Sequence, residues 1–124
     1  MPYNRSRVWE VEYTDQFGTW WAELDENDQN HIDAAVEVLE RVGPALGRPL
    51  VDTITTSRHP NMKELRPTGG TRVLFALDPR RTAILLIGGD KTGEWNRWYE
   101  RMVPVADDLY DEHLAEITRE TGGS

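Results

Sequence analysis

Six cations and a phenol crowd one part of the chain. Lys63, Arg66, Arg72, Lys91, Arg97, Tyr99 and Arg101 all fall within residues 61–101. A guanidinium presents a planar fork that matches the oxygens of a phosphate, and an ammonium adds a compact point charge. Lys63 and Arg66 are three apart on a strand, so they face opposite sides of it. Arg72 opens the next strand, and Lys91 follows the end of the one after. Arg97 and Arg101 stand at i, i+4 on one face of a helix that also carries Tyr99. Two readings remain open. The cations converge on an anion, or they are solvated charges that guard strand edges against pairing.

Other chemistries find less support. His31, His59 and His113 are far apart and lack partners at metal-ligand spacing. His31 and His113 fall on helices and read as surface or boundary residues. A Ser-His-Asp triad cannot be argued from spacing. Gly88-Gly89-Asp90-Lys91-Thr92-Gly93 faintly resembles a phosphate loop but lacks the G-x-x-x-x-G-K-[ST] frame. The chain has no Cys, which removes disulfides, thiolate zinc sites and a Cys nucleophile. No metal and no cofactor is expected.

Charge singles out the same stretch. The net charge is −8. Residues 61–101 hold 8 basic and 5 acidic side chains, whereas residues 1–60 hold 5 and 11. Residues 102–124 hold 1 basic and 6 acidic side chains. Such a balance disfavours a general nucleic-acid binder, because phosphate contacts dominate that affinity. A local positive patch still suits a single phosphate.

The elements that must position these groups follow from periodicity. Arg7 to Tyr13 alternates, with Trp9, Val11 and Tyr13 apolar, and predicts a half-buried strand. Thr14 or Asp15 can cap a short helix whose Phe17, Trp20, Trp21 and Leu24 share one face. A second helix carries Ile32, Ala35, Val36 and Leu39 inward and ends at Gly43-Pro44. The short link predicts a helical hairpin. Leu50 to Thr56 can add a short β segment. Asn61 to Arg66 and Thr71 to Leu77 predict strands. Asp78-Pro79-Arg80-Arg81 predicts a hairpin turn. Thr82 to Ile87 reads as a central strand covered on both faces, ended by Gly88-Gly89. Trp95, Trp98, Tyr99 and Met102 predict a helix, which Pro104 should break before a last helix from about Val105.

A chain of 124 residues fits one domain, residues 1–124. The expected class is α+β: an N-terminal strand and helical hairpin, an antiparallel sheet with helices mainly on one face, and C-terminal helices. No signal peptide is visible, and no apolar run approaches the ~20 residues of a membrane span. A cytoplasmic location, with no membrane partner, is the expectation.

The segments MKELRP, TRVLFALDPRRTAILLIGGDK and WNRWYERMVPVADDLYDEHL resemble the RelE/ParE superfamily of type II toxins, above all its HigB-like, phage-derived branch. The element order agrees over nearly the whole chain. The resemblance implies a small RelE-like domain that cleaves mRNA on the ribosome and inhibits translation. It also implies a cognate antitoxin, in this branch often a helix-turn-helix protein, bound in a hetero-oligomer. The implied chemistry needs no metal: the RNA 2′-OH attacks its own phosphate. Arg72 matches a phosphate cation, Lys91 the basic position after the last strand, and Arg66 the LR that closes the KELR strand. Tyr99 matches a phenol that stacks on a base or holds the reacting geometry. Lys63, Arg58, His59, Arg97 and Arg101 are the implied RNA-binding set. The best-known pattern has two alternating Lys before LR, where this chain has Met62 and Glu64. Thr92 stands where an Arg follows Lys91 in that pattern. His59 and Glu64 are the candidate substitutes for a Lys base. The alternative is a non-nuclease of the same fold, acting on gyrase or only binding an antitoxin.

Overall fold

The computed structural model describes residues 9–122. Arg7 and Val8 of the predicted first strand, and Gly123 and Ser124, lie outside the described residues. The elements are β1 (Glu10–Tyr13), α1 (Asp15–Ala22), α2 (Glu26–Val42), β2 (Val51–Thr53), β3 (Met62–Leu65), β4 (Thr71–Asp78), β5 (Thr82–Asp90) and α3 (Asn96–Glu120). A 3-10 turn at Gly43–Ala45 follows α2. The five strands form one sheet in the order β1-β5-β4-β3-β2. β2 to β5 pair antiparallel, as expected, and β1 joins β5 in parallel.

Helices cover both faces, which corrects the expectation of one. Phe17, Ile32 and Leu39 of α1 and α2 pack on Leu65, Val73, Phe75 and Leu85. Trp98, Val103, Ala106, Leu109 and Tyr110 of α3 pack on Met62, Leu74, Ala76, Ile84 and Leu86. Successive strand side chains point to opposite faces, so the apolar runs of β4 and β5 need cover on both.

The helix starts follow their caps. Thr14 Oγ1 accepts from Phe17 N at 2.9 Å and starts α1. Asp25 Oδ1 accepts from Asp28 N at 2.8 Å and starts α2 earlier than its apolar stripe alone indicates. Gly43 ends α2 with φ +70°, and a Cβ there would collide with the Trp9 ring.

Two sequence breaks do not break their elements. β5 runs through Gly88-Gly89 to Asp90. The β4–β5 register shifts between Leu74 and Phe75: Leu74 pairs with Ile87 but Phe75 with Leu85. Leu86 is therefore the extra residue of a bulge, and alternation resumes one step out of phase. Gly88 then lies beneath Trp20 of α1 and Gly89 beneath Trp98 of α3, where a side chain would clash with the indoles. The glycines admit two helices, one on each face. α3 likewise continues through Pro104 as one helix. Pro104 is exposed, while Val103 and Ala106 beside it are buried against the sheet. Packing on both sides of the proline outweighs the missing N–H, a cost of about 3 kcal/mol in a helix interior.

Candidate functional site

Glu64 is the centre of the candidate site. It points from β3 toward α3, on the same face as Met62, and its side chain is 4% exposed. Burying a carboxylate is costly unless it is paired and hydrogen-bonded, and Glu64 is both. Arg66 gives it two bonds, from Nε at 3.1 Å and NH2 at 2.8 Å, both to Oε2. The Tyr99 hydroxyl donates to Oε1 at 2.6 Å, reaching across from α3. Arg72 Nε lies 3.5 Å from the same oxygen, buried and without a hydrogen bond.

Each neighbour has a reason to be there. Arg72 opens β4 on the α3 side, and its NH1 donates to the carbonyls of Gly69 and Thr71, both at 2.8 Å. The guanidinium is thereby fixed before any ligand arrives. Lys91 directly follows β5 and is tied back by Lys91 N to Gly70 O at 3.0 Å. Its ammonium lies 5.1 Å from the Trp95 ring centroid and 5.3 Å from that of Tyr99. Arg66 also meets Asp52 of β2 at 3.1 Å.

Electrostatics follow from this crowding. Burial, then the Arg72 charge, lowers the Lys91 pKa below its ordinary value. Burial, then the hydrogen bond to Glu64, raises that of Tyr99. The bond to Glu64 raises that of Arg66. Four cations, Arg48, Arg66, Arg72 and Lys91, stand against Glu64, Asp52 and Asp90, and of these carboxylates only Glu64 is buried. The cluster keeps a positive surplus and can take an anion.

The structure therefore brings together Arg66, Arg72, Lys91 and Tyr99. It places the other five candidates elsewhere. Lys63 lies on the opposite face of β3, its Nζ 3.3 Å from Thr53 Oγ1. Arg97 and Arg101 are on exposed positions of α3, and Arg101 pairs with Glu94 at 2.8 Å. Arg58 and His59 lie further along α3. Arg58 pairs with Asp108 at 2.9 Å and with Asp111, and its backbone N–H donates to Asp107. His59 Nε2 meets Asp111 at 2.8 Å, and its ring packs edge-on against Tyr110. His59 is thus removed from the phenol and the cations, so Glu64 alone of the two substitute bases stands in the cluster. A shallow groove of about 250 Å³, lined by Thr56, Asn96, Tyr99, Glu100, Val103, Pro104 and Asp107, links Tyr99 with the region of Arg58.

His113 lies at the boundary, as expected, with little of its side chain exposed. It meets the fully buried Asp78 at 2.9 Å, beside Arg80. Sequence reasoning could have caught neither this contact nor the Glu64–Tyr99 bond, because each joins residues 35 apart. Among the described residues no group of three or more His, Asp or Glu side chains is placed to hold a metal ion. No described helix is long and apolar enough to cross a membrane.

Comparison with known proteins agrees with this architecture. Residues 19–111 match the family described as "Phage derived protein Gp49-like". The chain is 48% identical over 101 residues to "Putative toxin HigB3" of Mycobacterium tuberculosis, covering 81% of this chain and 89% of that one. It is also 48% identical over 107 residues to "Putative toxin HigB2" of the same organism, covering 83% of this chain. It spans about half of that relative's length, 53%. A chain of the archaeal RelE–RelB complex from Pyrococcus horikoshii OT3 shares the fold, with TM-score 0.57 at 14% identity. That match covers 70% of this chain and 98% of the other. The chain belongs to the phage-derived Gp49-like family, is HigB-like in sequence, and has the fold seen in the RelE–RelB complex.

Proposed function

We propose that this chain is the toxin of a type II toxin–antitoxin pair and that it cleaves mRNA on the ribosome at the Glu64–Arg72–Lys91–Tyr99 cluster. The observation that carries the reading is the meeting of Arg66, Arg72, Lys91 and Tyr99 around one buried carboxylate. Membership of the HigB-like family supports the toxin role. The partner is an antitoxin, in keeping with the RelE–RelB complex that shares the fold. A helix-turn-helix protein is the form we propose for it.

The cleavage is an internal transphosphorylation. The 2′ oxygen bonds to phosphorus and the bond from phosphorus to the 5′ oxygen breaks, leaving a cyclic phosphate and a free 5′ hydroxyl. The Tyr99 oxygen accepts the 2′ proton as its own proton passes to Glu64. A phenol with a raised pKa suits such a relay better than permanent ionisation. Arg72, already fixed by two carbonyls, meets the charge that grows on the phosphorane, where preorganised donors contribute most. Lys91 gives a proton to the departing 5′ oxygen, and its lowered pKa brings it closer to the range in which general acids work. Arg66 keeps Glu64 in place.

The test is inducible expression, with and without the neighbouring gene, followed by mapping of RNA 5′ ends. Arrest of growth with new ends within coding regions is expected, relieved by Arg72→Ala or Lys91→Ala. Intact transcripts and unaffected translation would sink the nuclease reading. A DNA-damage response without RNA cleavage would point to gyrase instead. Inertness with tight antitoxin binding would leave an interaction module.

A further inference from the structure

Trp95 is the most exposed of the indoles. It is 61% exposed, whereas Trp9 and Trp98 are buried and Trp20 and Trp21 pack from α1 onto the sheet. A lone exposed apolar residue is ordinary on a protein surface. Trp95 differs in two respects. Its backbone has φ +47°, a conformation that residues other than glycine rarely adopt. The surrounding loop enforces it: Trp95 N donates to Lys91 O at 2.8 Å, Thr92 N to Asp90 Oδ1 at 2.8 Å, and Trp98 N to Trp95 O at 3.1 Å. The strained backbone presents a large ring to solvent.

Position gives the ring a use. The Lys91 ammonium lies between Trp95 and Tyr99, about equally far from both ring centroids. Tyr99 is partly buried, and its hydroxyl is engaged with Glu64 in the proton relay. Of the two rings, Trp95 alone retains broad exposure. A nucleobase lies one sugar away from its own phosphate, and the indole lies one lysine side chain away from the cation cluster. We infer that Trp95 is a nucleobase-binding platform, stacking one base of the RNA strand whose phosphate enters the Arg72–Lys91 cluster. This rests on the RNA-cleaving reading above. Every base has a π face, so stacking fixes the position of the strand and leaves sequence preference broad.

The experiment uses ribosomes programmed with an mRNA whose A-site codon carries 2′-O-methyl groups, so that it binds without being cut. 2-Aminopurine replaces one base at a time, and stacking on an indole quenches its fluorescence. Quenching at one position of the codon is expected on adding the wild-type chain. Trp95→Leu should abolish it and weaken RNA binding by about 5- to 100-fold. Trp95→Phe should restore most of both. Thermal stability should not fall in either variant, since the ring supports no core. Binding of the RNA with no quenching at any position, or equal affinity in Trp95→Leu, overturns the platform and leaves the nuclease reading intact. Failure of the wild-type chain to bind overturns both.

Discussion

Glu64 and Asp78 are both buried carboxylates on the α3 side of the sheet, and each has an arginine two residues further along the chain. Their α3 partners, Tyr99 and His113, are 14 residues apart, about 21 Å along a helix. Asp78 is saturated. It accepts from the Arg80 backbone N–H and side chain and meets His113, while Arg80 turns on to Glu12. Its partners Arg80 and His113 line a cleft together with Glu12, Glu112 and Glu116. That arrangement closes the β4–β5 turn against α3 and has no cation to spare. Glu64 is instead outnumbered by Arg66, Arg72 and Lys91. The same motif of arginine on buried carboxylate makes a structural lock where charges balance, and an anion site where cations are in surplus.

The largest expected effect separates the two in activity. Arg72→Ala should lower RNA cleavage by about 10²- to 10³-fold, the loss typical of a preorganised donor at developing charge. Asp78→Asn should leave cleavage near wild type at temperatures where the variant remains folded. Single-turnover cleavage on programmed ribosomes checks both. Loss of chemistry in folded Asp78→Asn would break the distinction.

Stability should divide them the other way. Asp78→Asn removes the acceptor from Arg80 and His113 and should cost about 2–3 kcal/mol in denaturant unfolding. Burial pushes the Asp78 carboxyl up, but bonds from Arg80 and His113 outweigh it, so its pKa lies below the ordinary 3.8. A depressed carboxylate stabilises the fold above its unfolded pKa, and that contribution disappears as pH falls through the folded value. The acid loss below about pH 4 should therefore be shallower in Asp78→Asn than in wild type.

Much of this contrast was legible in sequence, though unevenly. The strands around the site followed from alternation and β-branched runs, and the surplus of cations from counting charge. Four candidates meet because β3, β4 and β5, which carry or end beside Arg66, Arg72 and Lys91, are adjacent in the sheet and α3 lays Tyr99 across them. Arg58 and His59 could not be separated from them in one dimension. Their distance depends on Asp107, Asp108 and Asp111, which a helix places on one side only after its docking is known. The bulge at Leu86 was also invisible, because it is a property of the β4–β5 register and not of either strand. For the same reason Gly88-Gly89 read as an ending. Glu64 was a residue in the wrong place for a lysine, and only Tyr99 crossing from α3 makes it the hub.

Lys91 offers a sharper test of the anion site. Burial and the Arg72 charge hold its pKa below the ordinary 10.5. Protonated Lys91 is the acting form, so cleavage should decline as pH rises through that lowered value. Lys91→Arg stays charged to far higher pH, and its alkaline decline should move up or vanish, even if its rate is lower. The pH–rate profile in single turnover reads this directly. An alkaline limb unchanged by Lys91→Arg would assign the titration to another group.

The smallest effect is the one that isolates local charge from total charge. Asp52→Asn and Glu12→Gln each remove one negative charge from a rim partner of an arginine, Arg66 and Arg80 respectively. Both pairs are partly exposed, so either change should shift stability by less than about 1 kcal/mol. Their effects on anion binding should differ. Arg66 stays on Glu64, but the loss of Asp52 leaves Arg48 and Arg66 with one less counter-charge beside the cluster, and Asp52→Asn should tighten binding of an uncleavable RNA by about 2- to 5-fold at low salt. Glu12→Gln frees an arginine that Asp78 still occupies, and binding should not change. Equal tightening in both variants would mean that the RNA senses the net charge of an acidic chain. Tightening confined to Asp52→Asn, and fading as salt is added, would locate the phosphate beside Glu64.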